Sequence, residues 1–447
     1  MKKILFLLII ISFGYNTKAQ KKWTLEDCIK YAIDNNIQIK QSQLAAESDK
    51  ITALQSKLGV LPNLNGSVSH NYNWGRNIDP SSNSYTDEQT RSNSFSLNSS
   101  IDLFNGFQKI NTIRQSQSNY MASKYDVEKM KNDIILRIGQ AYLQILFNKE
   151  QVDISQNQVD ISNLQIQRTK KLVEVGTLAK GNLLDFQAQG ALEEANLVAA
   201  QNQLELSYLD LTQLLDLKST TDFDIEKPTI KMEEDVTLVP ANWVFAFAAG
   251  TMPEIKSAEY RLESSYHGLA IAQSRRYPSL SLSGYFGSSY ANNIPENYLN
   301  SNKIMSFKDQ LDRNLSKSIS FSLNIPIFNG YQVNANVSKA KLNTLNADYN
   351  LQLAKNQLQK SIEQAYADAQ GAYKSYNASL KAVTSFQEAF NYAQQKFDVG
   401  MINPVDYNDA KNKLIKSQSD LLRAKYNFIF KKVILDFYQG NPITLSK

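Results

Sequence analysis

The sequence predicts an internally duplicated, mainly α-helical chain that also carries the strands of a membrane β-barrel, and three observations predict it. The same residues recur in the same order in two halves of the 447-residue chain. Each half holds one very long stretch without proline, and four segments of about ten residues alternate between polar and apolar side chains.

Residues 1–19 read as a secretory signal peptide. Lys2 and Lys3 open it, Ile4 to Phe13 form an apolar run, and Thr17-Lys18-Ala19 lead to a cut before Gln20. The run is too short for a membrane-spanning helix, and no Cys stands at the cut to accept a lipid. Removing the segment removes Lys2, Lys3 and Lys18 and no acid, so the formal charge falls from +5 to 5 − 3 = +2. A chain so near neutrality is not expected to bind nucleic acid. Cys28 is the single cysteine and can form no internal disulfide, while two histidines, His70 and His267, supply no His-rich metal or triad site. No cofactor or metal is expected, and Cys28 is read as a small core residue. Beyond the signal the longest apolar run, Val244 to Ala249, falls far short of the ~18–20 residues of a helical span. Any passage through a membrane must be made by strands.

The repeat starts at an offset of 216, where Ile39-Lys40 recurs as Ile255-Lys256 and Leu61-Pro62-Asn63-Leu64 as Tyr277-Pro278-Ser279-Leu280. It continues at 224, where Phe104-Asn105-Gly106 recurs as Phe328-Asn329-Gly330 and Val175-Gly176 as Val399-Gly400. Tyr125, Ile138, Gln140, Ala141 and Tyr142 fall on Tyr349, Ile362, Gln364, Ala365 and Tyr366 in the same frame. The eight extra residues lie between strand-like segments, in a loop, where duplicated halves diverge most easily. After the second anchor, matching Asn182 and Asp185 to Asn403 and Asp406 moves the offset to 221. The predicted organisation is helix over 20–60, 106–216, 241–276 and 330–438, strand hairpins with their loops over 61–105 and 277–329, and a linker over 217–240 carrying Lys227-Pro228 and Glu233-Glu234-Asp235.

From Leu64 to Trp74 one face carries Leu64, Gly66, Val68, His70, Tyr72 and Trp74, and the other Asn65, Ser67, Ser69, Asn71 and Asn73. Phe95, Leu97, Ser99, Ile101 and Leu103 alternate with Ser94, Ser96, Asn98, Ser100 and Asp102. The second half repeats this with Leu280, Leu282, Phe286 and Tyr290, then with Ile319, Phe321, Leu323, Ile325 and Ile327 opposite Ser318, Ser320, Ser322 and Asn324. A soluble sandwich also alternates. The ten-residue length suits a tilted membrane strand, Tyr72, Trp74 and Tyr290 sit where an interfacial girdle belongs, and a Ser/Asn face suits water better than a packed core. Four strands cannot close a barrel, and open edges are not tolerated in lipid. Sharing between copies allows eight strands from a dimer or twelve from a trimer.

Gly106 to Glu174 and Gly330 to Asp398 are 69 residues each by subtraction and contain no proline. As helices they would be roughly 100 Å long at ~1.5 Å per residue. Ile110, Ile113, Tyr120, Val127, Ile134, Ile138, Tyr142 and Ile145, then Val333, Val337, Ala340, Tyr349 and Leu353, recur in part at spacings of three and four. Polar residues such as Gln117 interrupt the stripe, which suits a wide cylinder of helices better than a tight two-stranded coil. Gly176 and Gly400 mark tight turns. Asn182 and Asn403 then read as N-caps, with Pro404 at the first helical position and Asp185 and Asp406 at the third. Each half thus ends in an antiparallel helical hairpin.

This ordered set, together with the opening Trp23-Thr24-Leu25-Glu26-Asp27-Cys28, resembles the TolC family of outer-membrane factors over essentially the whole mature chain. The resemblance implies a homotrimer, with four strands per protomer in a shared twelve-stranded barrel and a long-helix α-barrel tunnel reaching across the periplasm. It implies outer-membrane lipid around the barrel, and a periplasmic adaptor and an inner-membrane pump as partners in efflux or type I secretion. Val175, Gly176 and Thr177, with Val399, Gly400 and Met401, match the tips that meet the adaptor. Asp406 and Asp409 match the acids of the periplasmic pore constriction; three copies would bring six carboxylates to one axis, a ring that favours cations. Where well-known members carry a Tyr and an Arg in the second tip, this chain has Phe397 and Ile402. The competing reading is a structural or adhesive coiled-coil stalk with an outer-membrane anchor, which has no need of two hairpins or of a Ser/Asn strand face. An enzyme is not expected, since no nucleophile and base cluster and no Gly loop follows a strand.

Overall fold

The computed structural model describes residues 22–78, 83–221, 223–229, 232, 237–297 and 300–445. The proposed signal peptide and the linker acids Glu233, Glu234 and Asp235 lie outside the described residues. Nine helices and eight strands are found among those described. In chain order they are α1 (Leu25–Asn35), α2 (Ile37–Leu58), β1 (Asn63–Asn73), β2 (Arg76–Ile78), β3 (Tyr85–Asp87), β4 (Thr90–Phe104), α3 (Gln108–Glu174) and α4 (Lys180–Leu214). Then follow α5 (Ala241–Thr251), α6 (Pro253–Ser274), β5 (Ser279–Ala291), β6 (Pro295–Asn297), β7 (Asn300–Ile304), α7 (Phe307–Arg313), β8 (Ser316–Asn324), α8 (Gln332–Asp398) and α9 (Pro404–Tyr438).

The helices of the two halves match in length one by one. α1 and α5 have 11 residues, α2 and α6 have 22, α3 and α8 have 67, and α4 and α9 have 35. The long helices start two residues later than the sequence predicts, after left-handed pairs at Gly106-Phe107 and Gly330-Tyr331. Their starts and ends, and those of α4 and α9, all keep the offset of 224, so the predicted slip to 221 does not occur. Asn182 therefore corresponds to Asp406, and Asp185 to Asp409.

The chain divides into two compact units. One comprises residues up to Leu44, Tyr125–Lys256 and Leu353 onward. Its core is built on α3, where Ile134, Ile138, Tyr142, Ile145 and Leu146 recur on one stripe and are fully buried. Leu25 and Cys28 of α1, Ile39 of α2, and Leu211 and Leu215 at the end of α4 complete it. Thr24 caps α1 in a reciprocal box with Asp27, each accepting from the other's backbone N–H. Burial pushes the Cys28 thiol up to about 12, with Asp27 and Glu26 adding to the shift, which fits the packed role predicted for it.

Two connecting segments meet beside this core. Trp23 and Ile225 form a parallel bridge, with Trp23 N donating to Asp224 O at 2.9 Å and Glu226 N to Trp23 O at 2.9 Å. The buried Tyr142 hydroxyl reaches Glu226 O at 2.6 Å and Trp23 O at 3.1 Å, so it finds partners on both segments of the bridge. Asp224 accepts from Lys149 Nζ at 2.5 Å, Tyr208 Oη at 2.6 Å and its neighbour Ile225 N at 2.8 Å.

The other unit, Ala45–Lys124 and Ser257–Gln352, holds a four-stranded antiparallel sheet in the order β1-β4-β5-β8. The β4–β5 pair joins the halves, with Leu97 opposite Phe286 and Ile101 opposite Leu282. Register puts Leu64, Val68, Phe95, Leu97, Leu282, Phe286, Ile319, Phe321 and Leu323 on one face. Leu64, Val68, Ile319 and Phe321 are each at least 70% exposed, so this part of the face is not covered by other described residues. The opposite face is Ser and Asn along all four strands. Strand β8 ends at Asn324, so Ile325 and Ile327, predicted in the strand, lie beyond it. The eight extra residues of the second half build α7, a helix not predicted. Ser306 caps it, Phe307 packs edge-on to Phe95 at 6.2 Å and against Tyr290 at 5.1 Å, and fully buried Gln310 bonds both backbone groups of Ala291 at 2.9 Å.

Burial alone would raise the Asp224 carboxyl, but hydrogen bonds from Lys149 and Tyr208 outweigh it and hold it below the usual carboxylate range. A depressed value in the fold contributes stability above the unfolded value of ~3.9, and that contribution is lost as pH falls through the folded value. Asp224→Asn is predicted to lower the unfolding midpoint at neutral pH by an amount that shrinks on acidification. An equal loss at every pH, in detergent-solubilised protein followed by circular dichroism, would count against the ion pair.

Candidate functional site

The predicted tip residues lie at the ends of the two long hairpins. Gly176 at φ 78° and Gly400 at φ 76° adopt the left-handed conformation that ends a helix. Thr177 N donates to Leu172 O at 2.9 Å and Met401 N to Lys396 O at 2.8 Å, the six-residue closure of a Schellman turn. This geometry leaves Val175, Val399 and Met401 pointing outward at 75%, 72% and 76% exposure.

Behind the second tip the predicted cap is present. Asn403 Oδ1 accepts from Asp406 N at 2.9 Å, and Pro404 opens α9. Behind the first, α4 begins at Lys180 with Ala179 at the cap position and no side-chain cap. Asn182 is inside the helix, and its prediction as a cap is corrected: pairing it with Asn403 by identity overrode the constant frame. Asp406 and Asp409 are both exposed on α9. Asp409 forms an ion pair with Lys413 at 2.6 Å, one turn on. Asp185 is exposed as well, so each hairpin offers one acid at the position of Asp409, and only the second adds Asp406.

Sequence reasoning missed the contacts that join the hairpins within this unit. Phe397, predicted only as a departure from the family pattern, packs with Tyr407 at 4.9 Å and Phe186 at 5.6 Å, and Phe390 lies 5.5 Å from Tyr407. Burial first, then the carboxylates of Asp398 and Glu193, push the Tyr407 hydroxyl above its ordinary range. Arg168 of α3 reaches Asp398 of α8 at 2.6 Å. Deeper, Lys411 of α9 donates to Glu193 of α4 at 3.0 and 3.2 Å and to Ser162 of α3 at 2.7 Å. The Ser162 hydroxyl also bonds Glu193. Both charged side chains are only 5% exposed. Gln189 extends the network from Glu193 to Asn412. The signal was present in the spacing: Phe186, Gly190 and Glu193, like Tyr407, Lys411 and Leu414, share one buried stripe.

The model of the outer membrane efflux protein family matches residues 28–216 and 248–440, one stretch in each half. The chain belongs to this family. TolC of Vibrio cholerae serotype O1 is 24% identical over 96% of this chain and 93% of that protein, and TolC of Escherichia coli K12 is 24% identical over 97% and 85%. Among solved structures, CusC superposes with a TM-score of 0.79 at 17% identity, covering 96% of each chain, and VceC of Vibrio cholerae with 0.78 at 17% identity, covering 94% and 96%. As an outer membrane efflux protein the chain is a channel subunit of an efflux system and resides in the outer membrane. Its relatives are channel proteins rather than enzymes, and the stalk reading is not favoured.

The buried and exposed ion pairs of this outer membrane efflux protein should behave differently. Glu193→Gln strands Lys411 in a dry site and is predicted to cost ~3–5 kcal/mol, whereas Lys413→Ala should stay within ~1 kcal/mol. Replacing Glu193 and Lys411 together by Met should recover most of the loss. Unfolding midpoints of the three variants check this, and equal shifts for Glu193→Gln and Lys413→Ala would refute it.

Proposed function

We propose that three copies of this chain form one passive export duct across the outer membrane and the periplasm. The observation that carries the reading is the sheet itself: an apolar outer face, a Ser/Asn inner face and two unpaired edges, β1 and β8. Unpaired N–H and C=O groups cost several kcal/mol each in hydrocarbon, so the edges must meet those of other copies. The alternating directions of the four strands make β8 of one copy antiparallel to β1 of the next. Three copies give twelve strands, a bore wide enough for water and cargo.

The exposed aliphatic tips at Val175, Gly176 and Thr177 and at Val399, Gly400 and Met401 dock a periplasmic adaptor, which couples the duct to an inner-membrane pump. Asp406 and Asp409 narrow the periplasmic entrance. Within this second hairpin the cap at Asn403 fixes the start of α9, and two acids three residues apart lie on neighbouring positions of its surface. Lys413 offsets part of the charge of Asp409, which leaves Asp406 the stronger contributor to a cation preference.

Single-channel recording in planar bilayers is expected to show discrete cation-preferring pores. Asp406→Asn should weaken that preference more than Asp409→Asn, and unchanged selectivity in both variants would remove the acids from the constriction. Deleting Val399 and Gly400 is predicted to abolish export in cells while trimers still form in detergent. Normal export by that variant would exclude the tip as the adaptor contact.

A further inference from the structure

The polar face of the sheet is almost free of charge. Asp102 is its single side chain of an acidic or basic residue among those described, and Lys109 pairs with it at 3.1 Å. That face also carries a single aromatic ring, Tyr285. Register sets Tyr285 in a row with Asn65, Asn98 and Ser318, and places Asn63, Ser100, Ser283 and Ser320 in the adjacent row. The two rows line a hollow of about 230 Å³. At ~30 Å³ per liquid water this is the volume of roughly seven or eight waters, the scale of one sugar ring.

The ring of Tyr285 lies down along its own strand because the next residue on that face, Gly287, has no side chain. A Cβ at Gly287 would come within 2.4 Å of Tyr285 Oη and 2.7 Å of Cζ. The ring leans toward Gly287 and away from Ser283, which opens the hollow beside it. Asn63 is occupied by Ser100, whose N and Oγ donate to Oδ1 at 2.8 and 3.1 Å, and Asn98 donates to Ser96 at 3.3 Å. The side chains of Asn65, Ser283, Ser318, Ser320 and the Tyr285 hydroxyl make no hydrogen bond with other described residues. The side chains of Asn65, Ser283, Ser318 and Ser320 form a cluster of free donors and acceptors beside the Tyr285 ring, whose hydroxyl lies over Gly287.

We infer that this hollow is a binding site in the pore lining for a neutral, hydroxyl-bearing ring solute, a sugar by chemical class. The inference rests on the reading of the polar face as the inside of a shared channel. Amides and hydroxyls both donate and accept, as sugar hydroxyls do, so they can replace the solute's water without a net charge to hold an ion. Tyr285 supplies the stacking surface, whose quadrupole meets the polarised C–H face of the ring. Repeated in each copy, the site makes a weak sugar-binding band around the bore.

The test is blockade of single channels by maltohexaose. Wild-type channels are expected to show brief, concentration-dependent interruptions, and Tyr285→Phe should keep them. Tyr285→Ala should shorten the blocked time roughly two- to tenfold, the range that one aromatic contact supplies. Gly287→Ala should lift the ring into the bore and lower the open conductance. Channels that conduct normally but show no interruption by the sugar, or equal interruption in Tyr285→Ala, overturn the site alone. Protein that forms no channel overturns the export reading and the pore location with it.

Discussion

Backbone hydrogen bonding in hydrocarbon is the constraint on which the rest of this protein depends. Each strand of the sheet presents one apolar face, and β4 and β5 are paired on both sides. β1 and β8 are not, and lipid offers their free N–H and C=O groups no substitute. A chain with four such strands is incomplete by itself, however stable its helical unit. In the proposed duct, assembly answers these unpaired edges, while the side-chain alternation supplies the lipid face and the polar lining.

A second constraint acts along the helices. A 67-residue helix with little apolar character cannot be held by propensity and must be supported by neighbours at intervals. In the unit built on Tyr142, support comes from an apolar core and from the bridge between Trp23 and Ile225. Toward the hairpin ends apolar residues thin out, and polar contacts take over: Arg168 with Asp398, and Lys411 with Glu193 and Ser162. Buried ion pairs add little net stability compared with apolar packing, while loss of one partner is costly because it leaves the other charge buried alone. The aromatic group of Phe186, Phe397 and Tyr407 sits beside them and supplies the apolar area that the ion pair lacks.

Much of this fold was legible in the sequence because it follows periodicity. Period-two alternation gave the strand faces, absence of proline gave the long helices to within two residues, and Gly176 and Gly400 marked the turns. Features that depend on one specific contact were not legible. α7 is held by Phe307 and the buried Gln310, and its polar composition hides it among loop residues. Asn182 looked like a cap because Asn is a good one, yet the helix had already begun at Lys180. Phe397 and Ile402 could be seen as departures from the family pattern. What Phe397 does instead required knowing that Phe186 and Tyr407 meet it.

The constant frame of 224 residues shows where and why the two halves have diverged. Every residue of the network joining the hairpins is matched by a different type at the equivalent place: Glu193 by Ser417, Lys411 by Gln187, Phe186 by Ala410, Tyr407 by Leu183 and Arg168 by Tyr392. Identical hairpins packed side by side offer each other like charges and like volumes in non-equivalent places. A contact between Glu193 and Lys411 is possible because the first hairpin carries an acid where the second has Ser417, and the second carries a base where the first has Gln187. Gly190, matched by Leu414, follows the same logic in volume, since both are buried and one must be small where the Ile166 side chain approaches. Duplication supplied the two hairpins, and loss of equivalence at their contact is what lets them pack as a specific pair.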